Sequence, residues 1–125
     1  MATATEGSSN LTTTCHCKTI RLTFPTPSQP LNKCLCSICH RYGALWAYYP
    51  VDEVKFEVDG KSAEPRDATD FYIWSGKRLE FHRCKKCGSV MYWVRAQGQR
   101  EKMGVNCRML ERSDLEPLEF KETQK

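Results

Sequence analysis

Cys84-Lys85-Lys86-Cys87-Gly88 decides how this chain folds, because two cysteines two residues apart on a tight turn present both sulfurs to one metal ion. Zinc takes four ligands in a tetrahedron, so a second short pair is needed. Cys15-His16-Cys17 supplies it. Each pair sits on a tight turn at the end of a predicted strand, and Gly88 suits a turn that needs positive φ. Cys15, Cys17, Cys84 and Cys87 are therefore expected to form a closed structural zinc site that ties residue 17 to residue 84. A domain of 125 residues has room for one modest core, and zinc contributes on the order of 10 kcal/mol to a small fold. Removing the metal is expected to unfold it.

Working outward, Cys34-Leu35-Cys36-Ser37-Ile38-Cys39 places three more sulfurs within six residues. One loop can wrap a second zinc with these and leave its far side to a substrate. The alternative is a closed site completed by Cys107, His16, His40 or His82. His40 is too near in sequence to cap the metal easily, and Cys107, at a predicted strand end, reads as a small buried residue. Three thiolates make zinc a weaker acid for bound water than a neutral three-histidine centre does, so hydrolysis is not the favoured chemistry. A sulfur-rich centre accepts another thiol and deprotonates it. A thiolate held this way is a nucleophile toward an aldehyde and a leaving group from a carbon–sulfur adduct.

The formal net charge is +4, from 19 basic and 15 acidic side chains, and each metal-bound thiolate subtracts from it. His82-Arg83-Cys84-Lys85-Lys86-Cys87 sets cations beside thiolates, which favours their ionised form. The basic residues are otherwise scattered, so nucleic acid is not expected as a partner. A non-catalytic zinc module that binds a protein or nucleic acid is the second reading. Residues 1–14 are small and polar, with neither a basic start nor an apolar run, which argues against a secretory signal or a membrane anchor and for the cytoplasm. In that compartment clustered cysteines are ligands more often than disulfides. A zinc deaminase pattern fails at Ser37 and Arg83. A thioredoxin-like dithiol at Cys84 and Cys87 wants a βαβ setting, which the flanking strands do not give.

Residues 19–24 and 54–58 alternate apolar and polar, and residues 44–49 are aromatic-rich up to Pro50, which predicts three strands. Two hairpins are expected, one turning at Ser75-Gly76-Lys77 and one at Gln97-Gly98-Gln99. Residues 61–69 read as a loop and as a candidate flap, and residues 109–115 as a helical turn or two. The domain organisation is a flexible tail at 1–12, a zinc-binding domain at 13–116 and a charged tail at 117–125 that frays.

The three clusters in this order, CxC, then CxCSxC with Gly43 following, then CxxCG, resemble the glutathione-dependent formaldehyde-activating enzyme family, which also includes centromere protein V. The likeness spans nearly the whole chain. It implies a mainly β fold, a β-tent of small antiparallel sheets stapled by zinc. Two Zn(2+) per chain are implied, a structural ion on Cys15, Cys17, Cys84 and Cys87 and a catalytic ion on Cys34, Cys36 and Cys39. The activity implied is that of a carbon–sulfur lyase or synthase on a glutathione adduct, such as S-hydroxymethylglutathione or a larger glutathione conjugate. This chain departs from the family where Val105-Asn106-Cys107-Arg108-Met109-Leu110 replaces a Gly-rich turn followed by Leu-Asp, and where His40 replaces a common Arg or Lys. His40, with a side-chain pKa near neutrality, is a candidate acid or base. Tyr42 is a candidate catalytic partner, with Tyr48 and Tyr49 as other hydroxyls able to protonate an adduct's oxygen. Arg41, with Lys85 and Lys86, is placed to meet glutathione carboxylates. Trp46 and Tyr48, with Tyr49, are placed as pocket walls.

Overall fold

The structure, a computed structural model, describes residues 9–74, 76, 78–96 and 101–123. In chain order, β1 (Asn10–Thr14) and β2 (Ile20–Pro25) form a hairpin closed by the Cys15–Cys17 turn. β3 (Leu31–Cys34) leads through the second cysteine loop into α1 (Ser37–Tyr42), and the chain returns as β4 (Trp46–Pro50). β5 (Lys55–Val58) and β6 (Lys61–Ser62) turn about Asp59 and Gly60, both with positive φ. β7 (Thr69–Trp74), β8 (Leu79–Cys84), β9 (Val90–Arg95) and β10 (Lys102–Asn106) follow as an antiparallel meander. A short α2 (Arg112–Leu115) and a final strand β11 (Phe120–Thr123) complete it. The strands make a seven-stranded sheet, β11-β3-β4-β10-β9-β8-β7, and a four-stranded sheet, β1-β2-β5-β6. The fold is mainly β, as expected. Of the two predicted turns, Ser75, Lys77 and residues 97–99 lie outside the described residues.

Several elements differ from the sequence reading. Ser37–Tyr42 is helical, and six residues are too few to show helical periodicity. Its end is marked by Gly43, whose φ of 66° lets its amide reach back to the carbonyls of Cys39 and His40. Asn10–Thr14, overlapping the stretch read as a tail, is a strand whose Thr12 hydroxyl meets that of Thr23 across the pair at 3.2 Å. Phe120–Thr123 does not fray but runs parallel to β3. Backbone hydrogen bonds dock it there, Leu31 N–H to the Glu119 carbonyl and Leu35 N–H to the Thr123 carbonyl, both at 2.8 Å. Its side chains are largely exposed, so no apolar alternation announced it. The 61–69 loop carries β6 and a 3₁₀ turn at Pro65–Ala68.

The large sheet is apolar on both faces, and this divides the molecule. On one face Ala47, Tyr49, Tyr92, Val94, Met103 and Val105 pack against Ile20, Leu22 and Phe24 of the small sheet, which form the main core. Phe24 lies 5.3 Å from Tyr49 and Phe56 lies 5.6 Å from Tyr92, ring centre to ring centre. Strand side chains alternate between faces, so the intervening residues Trp46, Phe81 and Trp93 fall on the other side, where they pack with Cys34, Cys36 and Cys39. A register shift between Val90 and Tyr92 marks where β9 enters this arrangement.

Gly104 lies between Trp93 and Tyr48 in the sheet. A methyl group there would sit 2.1 Å from Trp93 Nε1 and 2.6 Å from its Cε2. The bare backbone is what lets the Trp93 indole lie across β10 and reach Tyr48, 6.0 Å away between ring centres. Gly104→Ala is expected to destabilise the fold by about 1–3 kcal/mol, the usual range for overpacking, and to quench or shift Trp93 fluorescence. Urea unfolding monitored by circular dichroism and emission checks both.

Candidate metal centres and substrate cavity

Two groups of cysteines converge. In the first, Cys15, Cys17, Cys84 and Cys87 bring their sulfurs within 4.8 Å of one another. The β1–β2 turn delivers one pair and the β8–β9 turn the other, so the cluster joins the small sheet to the large one. Local backbone makes both turns. Lys18 adopts a φ of 70° as its amide closes on the Cys15 carbonyl at 2.9 Å, and Gly88, with a φ of 80°, closes on the Cys84 carbonyl at 2.9 Å. The sulfurs of Cys15 and Cys17 are 3.7 Å apart and those of Cys17 and Cys84 3.6 Å apart. Tetrahedral zinc–thiolate bonds imply sulfur separations of roughly 3.8 Å. The quartet fits a metal ion of that kind.

The ionisation of this quartet is polarised. Burial pushes Cys15 up to about 12, with the sulfurs of Cys17 and Cys84 adding to the effect. Burial also acts against the Cys87 thiolate, but hydrogen bonds from the Ser89 hydroxyl and amide outweigh it and hold Cys87 down to about 5. Cys17 is lowered by the Thr19 hydroxyl and amide. Four sulfurs this close resist joint ionisation, and a bound cation removes the conflict.

The second group is Cys34, Cys36 and Cys39, also within 4.8 Å of one another. No fourth Cys, His, Asp or Glu joins them among the described residues. Cys34 ends β3, Cys36 caps α1 and Cys39 lies one turn inside the helix. Burial raises Cys36, yet the amides of Cys39 and Ile38 and the sulfurs of Cys39 and Cys34 bring it below the ordinary thiol value. Burial raises Cys39, against which Trp46 donates its indole N–H to the Cys39 sulfur at 3.3 Å. The donors first considered for closing this site lie elsewhere. Cys107 is fully buried in the main core and raised to about 12 by burial. His82 is stacked on Tyr92 and hydrogen-bonded to Thr69 and Glu80, at 2.9 and 3.0 Å. His40 is exposed on α1.

The trio lines a cavity of about 710 Å³. Trp46, Tyr48, Trp74, Phe81 and Trp93 wall it, while Arg78, Arg95 and Lys102 bring cationic groups to its lining. Trp46 and Tyr48 thus stand beside the sulfurs. The neighbouring His40, Arg41 and Tyr42 are not among the lining residues. Arg41 donates to the Ser37 carbonyl of its own helix at 2.9 Å, and Tyr42 packs on the back of Phe81 at 5.7 Å. Lys85 and Lys86 border a different cleft. The sequence reading missed Asn32, Arg78, Trp93, Arg95 and Lys102, although alternation counted outward from Trp46 marks Tyr48, and the same count on β9 marks Trp93 and Arg95.

A mainly β domain with one four-sulfur and one three-sulfur group able to hold a metal ion, the latter opening on a cavity, defines a class of cysteine-clustered β domains. The chain belongs to the glutathione-dependent formaldehyde-activating enzyme family, whose match covers residues 10–123. The crystal structure of a Rhodobacter sphaeroides protein superposes with a TM-score of 0.70 at 22% identity, over 90% of this chain and 100% of that one, which shows a shared fold. No curated protein matches the chain. No helix among the described residues is long and apolar enough to cross a membrane.

The Cys87 pKa sets the sign of an acid transition. A thiolate held at about 5 in the fold stays ionised at neutral pH, where an ordinary thiol is protonated, so its stabilising contribution is lost as pH falls through about 5. In the reduced, metal-free protein, ultraviolet thiolate absorbance is expected to persist at neutral pH and to fall, together with stability to urea, as pH passes through about 5. Absence of that step, or its survival in Cys87→Ser, would contradict this assignment.

Proposed function

We propose that this protein is a zinc-dependent carbon–sulfur lyase or synthase that makes or breaks the carbon–sulfur bond of a glutathione adduct, with one structural and one catalytic zinc per chain. The observation that carries this reading is the three-sulfur centre on the wall of the aromatic cavity, without a fourth protein ligand among the described residues. Family membership agrees with it. Zinc bound at Cys34, Cys36 and Cys39 would supply a Lewis acid that ionises a thiol and holds it.

The chain's own residues account for the rest. Trp46 stiffens the trio through its bond to the Cys39 sulfur and withdraws charge from it. Trp74, Phe81 and Trp93 offer apolar surface to the group carried on sulfur and exclude water from the reacting carbon. Arg78, Arg95 and Lys102 suit the two carboxylates of glutathione, since guanidinium groups bind carboxylates through paired hydrogen bonds. These three take the place first given to Arg41, Lys85 and Lys86. A cavity of about 710 Å³ exceeds what a hydroxymethyl group fills, and it admits a larger conjugate.

Cys36→Ser is expected to lose one metal of two and to reduce turnover of a glutathione adduct at least about hundredfold, with an unfolding midpoint close to wild type. Metal content by mass spectrometry together with adduct cleavage tests this, and full activity in that variant would defeat the proposal. Arg95→Ala is expected to raise KM about three- to tenfold with kcat largely kept, because an exposed charge contributes to binding rather than to the bond-breaking step.

A further inference from the structure

Tyr48 stands apart from the other aromatic residues of the cavity in carrying a hydroxyl group that the fold has oriented. Its oxygen accepts a hydrogen bond from Asn32 Nδ2. Asn32 is itself fixed, because its Oδ1 accepts from the Thr123 hydroxyl at 2.6 Å. A phenol oxygen that accepts from an amide keeps its own proton to give, and that proton has no protein acceptor among the described residues. Trp93 beside the ring, at 6.0 Å, and Lys102 over it, at 5.6 Å, hold its plane. Asn32 and Tyr48 both line the cavity that contains the three sulfurs.

We propose that Tyr48 donates a hydrogen bond to an oxygen on the sulfur-bearing carbon of the substrate, and that Asn32 and Thr123 are the positioning residues that aim it. This rests on the thiol-adduct reading above and deepens it by naming the side chain that meets the oxygen of a hemithioacetal. In the forward direction the thiolate lone pair forms the carbon–sulfur bond, the carbonyl π pair moves onto oxygen, and water supplies the proton that completes the hydroxyl group. In reverse the hydroxyl proton leaves to water, the oxygen pair restores the carbonyl, and the carbon–sulfur pair departs with sulfur. In both directions charge gathers on the oxygen that Tyr48 faces, where a preset donor acts most strongly.

Thr123 has a double part. Its carbonyl accepts from Leu35 N–H at 2.8 Å, between two of the cysteines, while its hydroxyl aims Asn32. One residue of β11 thus sets both the sulfur loop and the donor opposite the oxygen.

Two ligands of matched size isolate the claim. S-acetylglutathione carries oxygen on the carbon next to sulfur and S-ethylglutathione does not. By calorimetry on the metal-loaded protein, wild type is expected to bind the acetyl compound about tenfold more tightly, the effect of one well-placed hydrogen bond. Tyr48→Phe is expected to abolish that preference with metal content unchanged. Asn32→Asp, which takes the tyrosine proton instead of donating to its oxygen, is expected to abolish it as well. Thr123→Val is expected to weaken it and Thr123→Ser to keep it. A preference that survives in Tyr48→Phe, or wild type that binds both ligands equally, overturns the role of Tyr48 and leaves the thiol site standing. A preference untouched in Thr123→Val overturns the positioning role of β11. Failure of wild type to bind either ligand, or glutathione itself, overturns the thiol-adduct reading and this inference with it.

Discussion

Four sulfurs drawn together from two hairpins, with Cys17 and Cys84 only 3.6 Å apart, are the constraint on which the rest of the structure depends. Without a cation, Cys15 is driven toward the thiol and Cys87 toward the thiolate, and the cluster is electrostatically divided. With one, it clamps the small sheet onto the large sheet at the edge of their shared core. β8 ends on Cys84, and the same strand carries Leu79 and Phe81 on the cavity side. The clamp therefore fixes the height of one cavity wall as well as the packing of the core.

The three-sulfur group is built by a different device. Cys34, Cys36 and Cys39 need no distant partner, because a strand end, a helix cap and one helical turn place all three. What is distant is their surroundings. β4, β8, β9 and β10 contribute Trp46, Phe81, Trp93 and Lys102, and β11 contributes only backbone and a hydroxyl. A local sulfur loop has been set into a cavity whose walls come from residues as far along the chain as Lys102.

This difference explains what could be read from the residues alone. Both sulfur groups were legible because metal ligands in short clusters leave a spacing signature. Strands with buried alternation, such as Ile20–Pro25, were legible for the same kind of reason. β11 was not, because a charged edge strand held by main-chain bonds carries no apolar pattern. Helix α1 was too short to show a period. Arg41, Tyr42 and His40 drew attention through nearness in sequence to the cysteines, but α1 turns Arg41 back onto Ser37 and Tyr42 onto Phe81. Gly104 was silent, since the absence of a side chain signals nothing until Trp93 is seen lying across it.

The two apolar faces of the seven-stranded sheet carry separate duties at alternate positions of the same strands. Tyr49 and Val105 answer to the core, and Tyr48 and Gly104 answer to the cavity. Within the cavity set, Gly104 is held by the Trp93 indole across its backbone and Trp46 is tied to the Cys39 sulfur. Inheritance therefore has its freedom at the rim, where Arg95 of β9 and Lys102 of β10 can be exchanged to suit other ligands while the architecture that holds the sulfurs survives.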